Sequence, residues 1–323
     1  MSAGIRVVAL SGGIGGAKLA LGLYRALPAD SLMVACNTGD DFEHLGLSIS
    51  PDLDTVLYTL AGVANPATGW GRAGETWTFM QALAELGGET WFRLGDADLA
   101  THVERTRRLA AGDSLSAITD DFCRRLGVRA HLIPMCDAPV RTMVETADGV
   151  LPFQRYFVER RCAPKVTGFQ FEGAGAAHPT PALCQALAGE SLEAVVICPS
   201  NPFISIDPIL AVPGLRAAIA ACRAPVVAVS PIIGGRAVKG PTAKMMAELG
   251  VPRSARAVAE HYGGLLDGFV LDAADADEAA IDLPCLRTRI LMTSEADKRR
   301  LASGVLSFAG RLADKRRQRS LTS

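Results

Sequence analysis

Four aspartates stand close together in two short stretches, Asn37-Thr38-Gly39-Asp40-Asp41 and Ser50-Pro51-Asp52-Leu53-Asp54-Thr55. Ahead of them an apolar run ends in glycines, Val7-Val8-Ala9-Leu10-Ser11-Gly12-Gly13-Ile14-Gly15-Gly16-Ala17-Lys18. Glycines after a buried strand permit a tight turn and bring backbone N–H groups up to an anion at a helix N-terminus. Carboxylates beside such a loop suit a cation that holds phosphates, because magnesium takes one or two carboxylates together with waters and phosphate oxygens. Asp40, Asp41, Asp52 and Asp54 are therefore candidate ligands, with Asp52 and Asp54 pointing the same way if their segment is extended. Locally, Asp40 and Asp41 also read as turn formers, and Asp54 as the cap of a helix starting at Thr55. The combination points to an enzyme acting on a phosphorylated or nucleotide substrate.

The glycine loop is not a Walker A motif, since Lys18 follows Ala17 and precedes Leu19. It is closer to a dinucleotide fingerprint. The second strand, however, ends in a glycine and two aspartates rather than a lone ribose-reading acid, which argues against a nicotinamide dehydrogenase. Two further clusters can carry chemistry. Arg93-Leu94-Gly95-Asp96-Ala97-Asp98-Leu99-Ala100-Thr101-His102 sets a cation, two carboxylates and an imidazole before a helix. Ser230-Pro231-Ile232-Ile233-Gly234-Gly235, with Lys239-Gly240-Pro241 and Lys244, sets a turn near lysines that could hold a second phosphate or a nucleobase edge.

The elements that must position these residues alternate. Apolar runs at 5–10, 32–36, 194–198, 226–229, 268–271 and 289–292 lack the period of a half-exposed strand, as in a parallel sheet covered on both faces. Helical patterns at 17–27, 208–221 and 255–266 lie between them, which predicts an α/β, doubly wound, Rossmann-like parallel sheet. Each strand is followed by small, polar or glycine-rich residues, Pro199-Ser200-Asn201-Pro202 among them, so these loops should meet in one crevice at the carboxyl edge. Residues 75–86, 99–111 and 115–126 read as helices. Residues 130–134, 140–145, 156–160 and 166–171 read as short strands, with Asp148-Gly149 as a hairpin signal. The expected organisation is a core of 1–74 and 185–313, a smaller α+β insertion of 75–184, and a basic C-terminal tail of 314–323.

The chain has 323 residues, 49% apolar, with a formal net charge of −1. That length supports a sizeable core, and the charge argues against a nucleic-acid binder. The 8 cysteines have neither CxxC pairing nor zinc spacing and read as buried apolar residues of a reducing compartment. No run approaches the ~20 apolar residues of a membrane span, and the first residues lack a signal-peptide pattern, so a cytoplasmic location with no membrane partner is expected.

In order, Ser11-Gly12-Gly13-x-Gly15, Asn37-Thr38-x-x-Asp41, Ser50-Pro51-Asp52-Leu53-Asp54-Thr55-Val56, Leu94-Gly95-Asp96-x-Asp98-x-Ala100-Thr101-His102, Pro199-Ser200-Asn201-Pro202 and Ser230-Pro231-Ile232-Ile233-Gly234 resemble the 2-phospho-L-lactate transferases of coenzyme F-420 biosynthesis, the CofD family. Gly69-Trp70-Gly71 and Glu75-Thr76-Trp77 look like its bacterial branch. The resemblance implies a Rossmann-like core with a smaller appended domain, often a homodimer. It implies a magnesium-dependent transfer of a phospholactyl-type group, with phospholactate, phosphoenolpyruvate or phosphoglycerate as the acid. The group moves from a guanosine diphosphate-linked donor to the deazaflavin FO, releasing GMP. By that resemblance Asp54, Arg93, Asp96 and His102 should face FO, with Asp54 and Asp40 catalytic. Gly12, Gly13, Gly15 and Lys18 should hold the diphosphate, and Ser200, Asn201, Ile233 and Gly234 should frame the guanosine. A second class is a related group of nucleotide-sugar-binding regulators without known catalysis. Those resemble Asp-Asp-Gly-Gly-Ser-Ser-Gly where this chain has Asp40-Asp41-Phe42-Glu43-His44-Leu45-Gly46, and they lack the Pro51–Thr55 motif.

Overall fold

The structure is a computed structural model and describes residues 4–28, 30–237, 240–275 and 281–322. Its centre is a seven-stranded sheet. β1 (Val7–Ser11) and β2 (Leu32–Cys36) are apolar on both faces and entirely buried, a pattern that fits only the interior of a sheet with helices on both sides. α1 (Gly13–Ala26) joins them. After β2 come a short hairpin of β3 (Phe42–His44) and β4 (Leu47–Ile49), then α2 (Pro51–Ala61), α3 (Thr78–Glu85), α4 (Asp96–Ala110) and α5 (Leu115–Arg125). β5 (His131–Pro134) returns to the main sheet beside β2. β6 (Arg141–Thr146), β7 (Gly149–Pro152) and β8 (Val166–Glu172) form a separate antiparallel sheet, with the hairpin at Asp148-Gly149 as expected.

The chain then alternates again through α6 (Pro181–Ala188), β9 (Ala194–Ile197), α7 (Asp207–Ala211), α8 (Leu215–Ala221) and β10 (Val226–Val229). A small hairpin of β11 (Ile232–Ile233) and β12 (Arg236–Ala237) precedes α9 (Thr242–Glu248), α10 (Ala255–His261), β13 (Gly268–Asp272), β14 (Cys285–Thr288) and α11 (Glu295–Thr322). The main sheet runs β14-β13-β10-β9-β1-β2-β5, every pair parallel. Successive β1 residues face opposite layers. Val7 and Ala9 pack with Leu19 and Leu23 of α1 and with Leu301 and Val305 of α11, whereas Val8 and Leu10 pack with Leu183, Ile219 and Val258. α1 and α11 approach so closely that a Cβ on Gly22 would lie 2.3 Å from the Lys298 carbonyl oxygen. No single described helix is long and apolar enough to cross a membrane.

The expected doubly wound α/β core is present, with six corrections to its parts. The strand expected at 289–292 is a loop, and Cys285–Thr288 pairs with β13 instead. Residues 131–134, expected in the inserted unit, form an edge of the main sheet. Residues 155–159 make one wide helical turn rather than a strand, and it buries Tyr156. The helix expected over 208–221 is two helices, because Pro213 and the left-handed Gly214 (φ 82°) interrupt it. Residues 314–322, expected as a tail, continue α11. Asp52 and Asp54 sit not in an extended segment but in the first turn of α2, which starts at Pro51.

Candidate active site

The carboxyl ends of β1, β2, β9 and β10 open onto one cavity of about 610 Å³. Gly12, Gly13, Gly15 and Lys18 line it after β1, Asp40 after β2, Ser200 and Asn201 after β9, and Ser230 and Pro231 after β10. Asp52 and Asp54 come from α2, Asp98 and His102 from α4, and Arg93 from the loop between. Apolar wall is supplied by Trp70, Trp91, Phe92, Phe153 and Phe157, and by Ile290 and Met292. Five expected residues are elsewhere. Asp41 is buried and accepts a hydrogen bond from Ser50 Oγ (2.8 Å). Asp96 accepts from Thr76 Oγ1 (2.6 Å) and from the Thr78 and Phe79 N–H groups (both 3.1 Å), so it caps α3. Ile233 and Gly234 belong to the β11–β12 turn, where the Gly234 N–H donates to Asp275 Oδ1 (2.6 Å). Lys244 pairs with Glu248 (2.7 Å), and Lys239 lies outside the described residues.

The glycine loop is held from two sides. Ser200 Oγ accepts from the Gly12 N–H (3.1 Å) and donates to the Gly12 carbonyl (2.8 Å). The Gly13 N–H at the start of α1 donates to Asp52 Oδ1 (2.6 Å). Asn37 Nδ2 donates to Asp52 Oδ2 (2.9 Å) and lies 3.4 Å from Asp40 Oδ1, so one amide bridges two carboxylates. Burial, then the charge of Asp52, pushes the Asp40 carboxyl well above its usual range. Burial raises Asp52 to about 6 against the opposing bonds from Asn37 and Gly13. Asp41 rises to about 7, again through burial.

Asp54 faces a different partner. Two residues along a helix turn the side chain by about 200°, and its carboxylate meets Arg105 of α4, with Nη1 at 3.1 Å from Oδ2 and Nη2 bonded to Oδ1. His102 Nδ1 lies 3.7 Å from Asp54 Oδ2 and 3.3 Å from Arg105 Nη1. Because guanidinium only donates, that imidazole nitrogen accepts. Asp98 takes the Tyr58 hydroxyl (2.6 Å) and lies 3.3 Å from His102 Nε2. Burial would raise Asp98, but His102 and Tyr58 hold it below the usual carboxylate range.

Sequence spacing did not reveal Arg105 or Glu75. Glu75 accepts from the Ala97 and Asp98 N–H groups (both 2.8 Å) and so caps α4, while Asp96 of α4 caps α3. This exchange fixes Arg93, whose guanidinium lies 4.2 Å over the Trp77 ring. A helical reading of residues 96–110 places Asp98, His102 and Arg105 on one face, and that periodicity was the signal that could have found Arg105.

Asp54, Asp98 and His102 come together closely enough to surround a metal ion. Arg105 already supplies the positive charge there, and its fork takes both Asp54 oxygens. Asp40 and Asp52 are the other carboxylates whose oxygen donors would suit a divalent cation. Both are buried on the cavity wall, the charge of Asp52 opposes ionisation of Asp40, and one Asn37 amide is the neutral bridge between them. Of the four aspartates expected around one ion, Asp40, Asp52 and Asp54 line the cavity and Asp41 does not.

The sign of these shifts gives a solution test. The folded Asp41 and Asp52 carboxyls keep their protons to higher pH than in the unfolded chain. Native protein then binds more protons between pH about 4 and about 7, and stability falls as pH rises through that window. In chelator, the melting temperature is expected to be higher at pH 5 than at pH 8. A melting temperature that climbs from pH 5 to pH 8 in chelator contradicts this electrostatic picture.

A doubly wound sheet with a glycine loop, buried paired carboxylates and one crevice at its carboxyl edge defines the class as an α/β enzyme of phosphate chemistry. The family model described as 2-phospho-L-lactate transferase CofD matches residues 7–304, and the chain belongs to the CofD family of transferases. It is similar to the phosphoenolpyruvate transferase of Streptomyces coelicolor, 44% identical over 94% of this chain and 98% of that one. It is also similar to the phosphoenolpyruvate transferase of Thermobifida fusca, 42% identical over 96% and 100%, and to the 2-phospho-L-lactate transferase of Methanosarcina mazei, 40% identical over 93% and 99%. Among solved structures, a UPF0052-family protein of Bacillus halodurans shares the fold at a TM-score of 0.62, with 14% identity over 94% of this chain and 99% of that one.

Proposed function

We propose that this protein transfers a three-carbon phospho-acid group from a guanosine diphosphate-linked donor to the primary hydroxyl of FO, releasing GMP, in coenzyme F-420 biosynthesis. The observation that carries the proposal is a single cavity whose wall combines a glycine loop and Asp40, Asp52, Asp54 and Asp98 with Trp91, Phe92 and Phe157. Polyphosphate would be repelled by that many carboxylates unless it arrived with a cation. Lys18 and Arg93 are the lysine and arginine on the described wall, and Lys18 Nζ donates to the Met292 carbonyl (3.0 Å). Magnesium bound by Asp40 and Asp52 would supply charge neutralisation at the phosphates.

The chain's own residues do the positioning that such a transfer mainly requires. Gly12, Gly13 and Ser200 shape the floor under the donor's phosphates. The aromatic wall offers flat surface to a planar acceptor. Asp54 accepts a hydrogen bond from the FO hydroxyl and aims it at phosphorus. The bond from that oxygen to phosphorus forms as the bond to GMP breaks, and the hydroxyl proton passes to water.

The test is a mass-resolved assay with FO, magnesium and guanylyl donors of phosphoenolpyruvate, 2-phospho-L-lactate and phosphoglycerate in competition. The expected result is FO bearing one phosphodiester-linked acid, and the acid found identifies the donor. An FO left unmodified by all three overturns the proposal. In the same assay Arg93→Ala is expected to raise the KM for FO about threefold to fivefold, the loss of one exposed cation stacked on Trp77, with GDP affinity within about twofold. The opposite pattern would exchange the two ligands' places.

A further inference from the structure

The largest fully buried side chain among the described residues is not apolar but Arg105, at 1% exposure. It does not line the cavity, whereas its partners Asp54 and His102 do. Its Nη1 reaches Asp54 Oδ2 (3.1 Å), His102 Nδ1 (3.3 Å) and the Ser48 carbonyl (3.3 Å), and Nη2 bonds Asp54 Oδ1. Its Nε is buried with no hydrogen-bond partner. An ion pair in such a place adds little to stability, because desolvation offsets the attraction and well-packed apolar residues do as well or better. The orphaned Nε adds to that cost. A requirement other than stability accounts for the residue.

We infer that Arg105 is a positioning residue for the transfer, acting from behind Asp54. Each carboxylate oxygen has more than one acceptor direction. The fork occupies one on each oxygen and fixes the carboxylate plane, so that the remaining directions of Asp54 face the cavity. The same guanidinium pins His102 beside it. A carboxylate clamped in this way presents its free acceptor directions at a fixed angle to the cavity, and its task is to orient the attacking hydroxyl. Lysine cannot replace this function, because its ammonium is a point charge without the planar fork.

The inference rests on the transfer reading above, and the experiment separates the two. Wild type, Arg105→Lys, Asp54→Asn, Arg105→Gln and the double variant Asp54→Asn/Arg105→Gln are compared for kcat, KM and FO binding by the fluorescence of FO itself. Folding is checked by thermal melts. Arg105→Lys is expected to lose kcat on the order of 100-fold, as a misplaced positioning group does, with donor and FO KM within about threefold. The double variant, whose paired amides leave no buried charge, should have the kcat of Asp54→Asn alone, since Arg105 acts through Asp54. Arg105→Lys that folds and keeps wild-type kcat overturns the inference. So do losses in Arg105→Gln and Asp54→Asn that multiply in the double variant. If Arg105→Lys does not fold, the double variant decides. A wild-type protein that neither binds nor modifies FO overturns the functional reading, and the inference with it.

Discussion

Asp40→Asn is expected to lower kcat about 100-fold, the usual loss when a key charge stabiliser is removed, and to weaken the response to magnesium. The amide keeps the size and shape of the carboxyl, so the loop after β2 should hold its form. It removes one of two buried like charges bridged by a single Asn37 amide. The variant should therefore melt higher than the wild type at pH 8 in chelator while turning over far more slowly with magnesium present. Those opposite movements distinguish a functional charge from a structural one. A variant with near-normal kcat, or one that melts lower at pH 8, would take Asp40 out of the machinery.

The second large effect concerns backbone against backbone. A Cβ on Gly15 would lie 2.4 Å from the Pro199 carbonyl oxygen, and no side chain can swing aside to admit it. Gly15→Ala is expected to cost about 1–3 kcal/mol of stability, as overpacking of a tight site does. It should also push the glycine loop away from the β9 loop, raising the Kd for GDP about tenfold or more, an order-of-magnitude loss for a displaced phosphate site. Gly175→Ala meets nothing within 4 Å and serves as the control. It should stay within about 0.5 kcal/mol of wild type, as exposed substitutions do. Equal behaviour of the two variants, read by calorimetry and GDP titration, would mean that the loop contact has no structural consequence.

The strands β1, β2, β9, β10 and β13 were legible because each is an unbroken apolar run with a glycine or a small polar residue at its end. The run at 289–292 misled for an instructive reason. Ile290 and Met292 are apolar because they wall the cavity, and the Ile290 N–H donates to the Asp272 side chain (2.9 Å) rather than to a strand's backbone carbonyl. The partly polar Cys285–Thr288 takes the sheet edge, where full apolarity is not required. Tyr156 was misplaced because a single wide turn buries one side chain much as an alternating strand would. In the site, the glycine loop, Asp40, Asp52, Asp54, Arg93 and His102 were readable as residue types at turn and helix-start positions. Their partition was not. Whether Asp52 and Asp54 look the same way depends on a helix starting at Pro51, and Arg105 meets Asp54 only through the packing of α4 against the β3–β4 hairpin and α2. Local spacing carries no record of a contact made across half a hundred residues of intervening chain.

The first turn of α2 grips two structures at once: Asp52 holds the α1 glycine loop and Asn37, and Asp54 holds Arg105 of α4. On the proposed reading these are the donor's floor and the acceptor's aiming group, joined by one rigid turn. This couples the two specificities under mutation. A lineage or a designer cannot retune the donor through Asp52 without tilting Asp54, so a new acid has to be admitted from walls outside that turn, such as the Phe153-Gln154 stretch beside Asp40, whose carbonyl accepts from Gln154 Nε2. Libraries aimed at exchanging one phospho acid for another should leave Pro51–Asp54 fixed and vary those walls. Success from substitutions inside the turn would show the two halves to be independent after all.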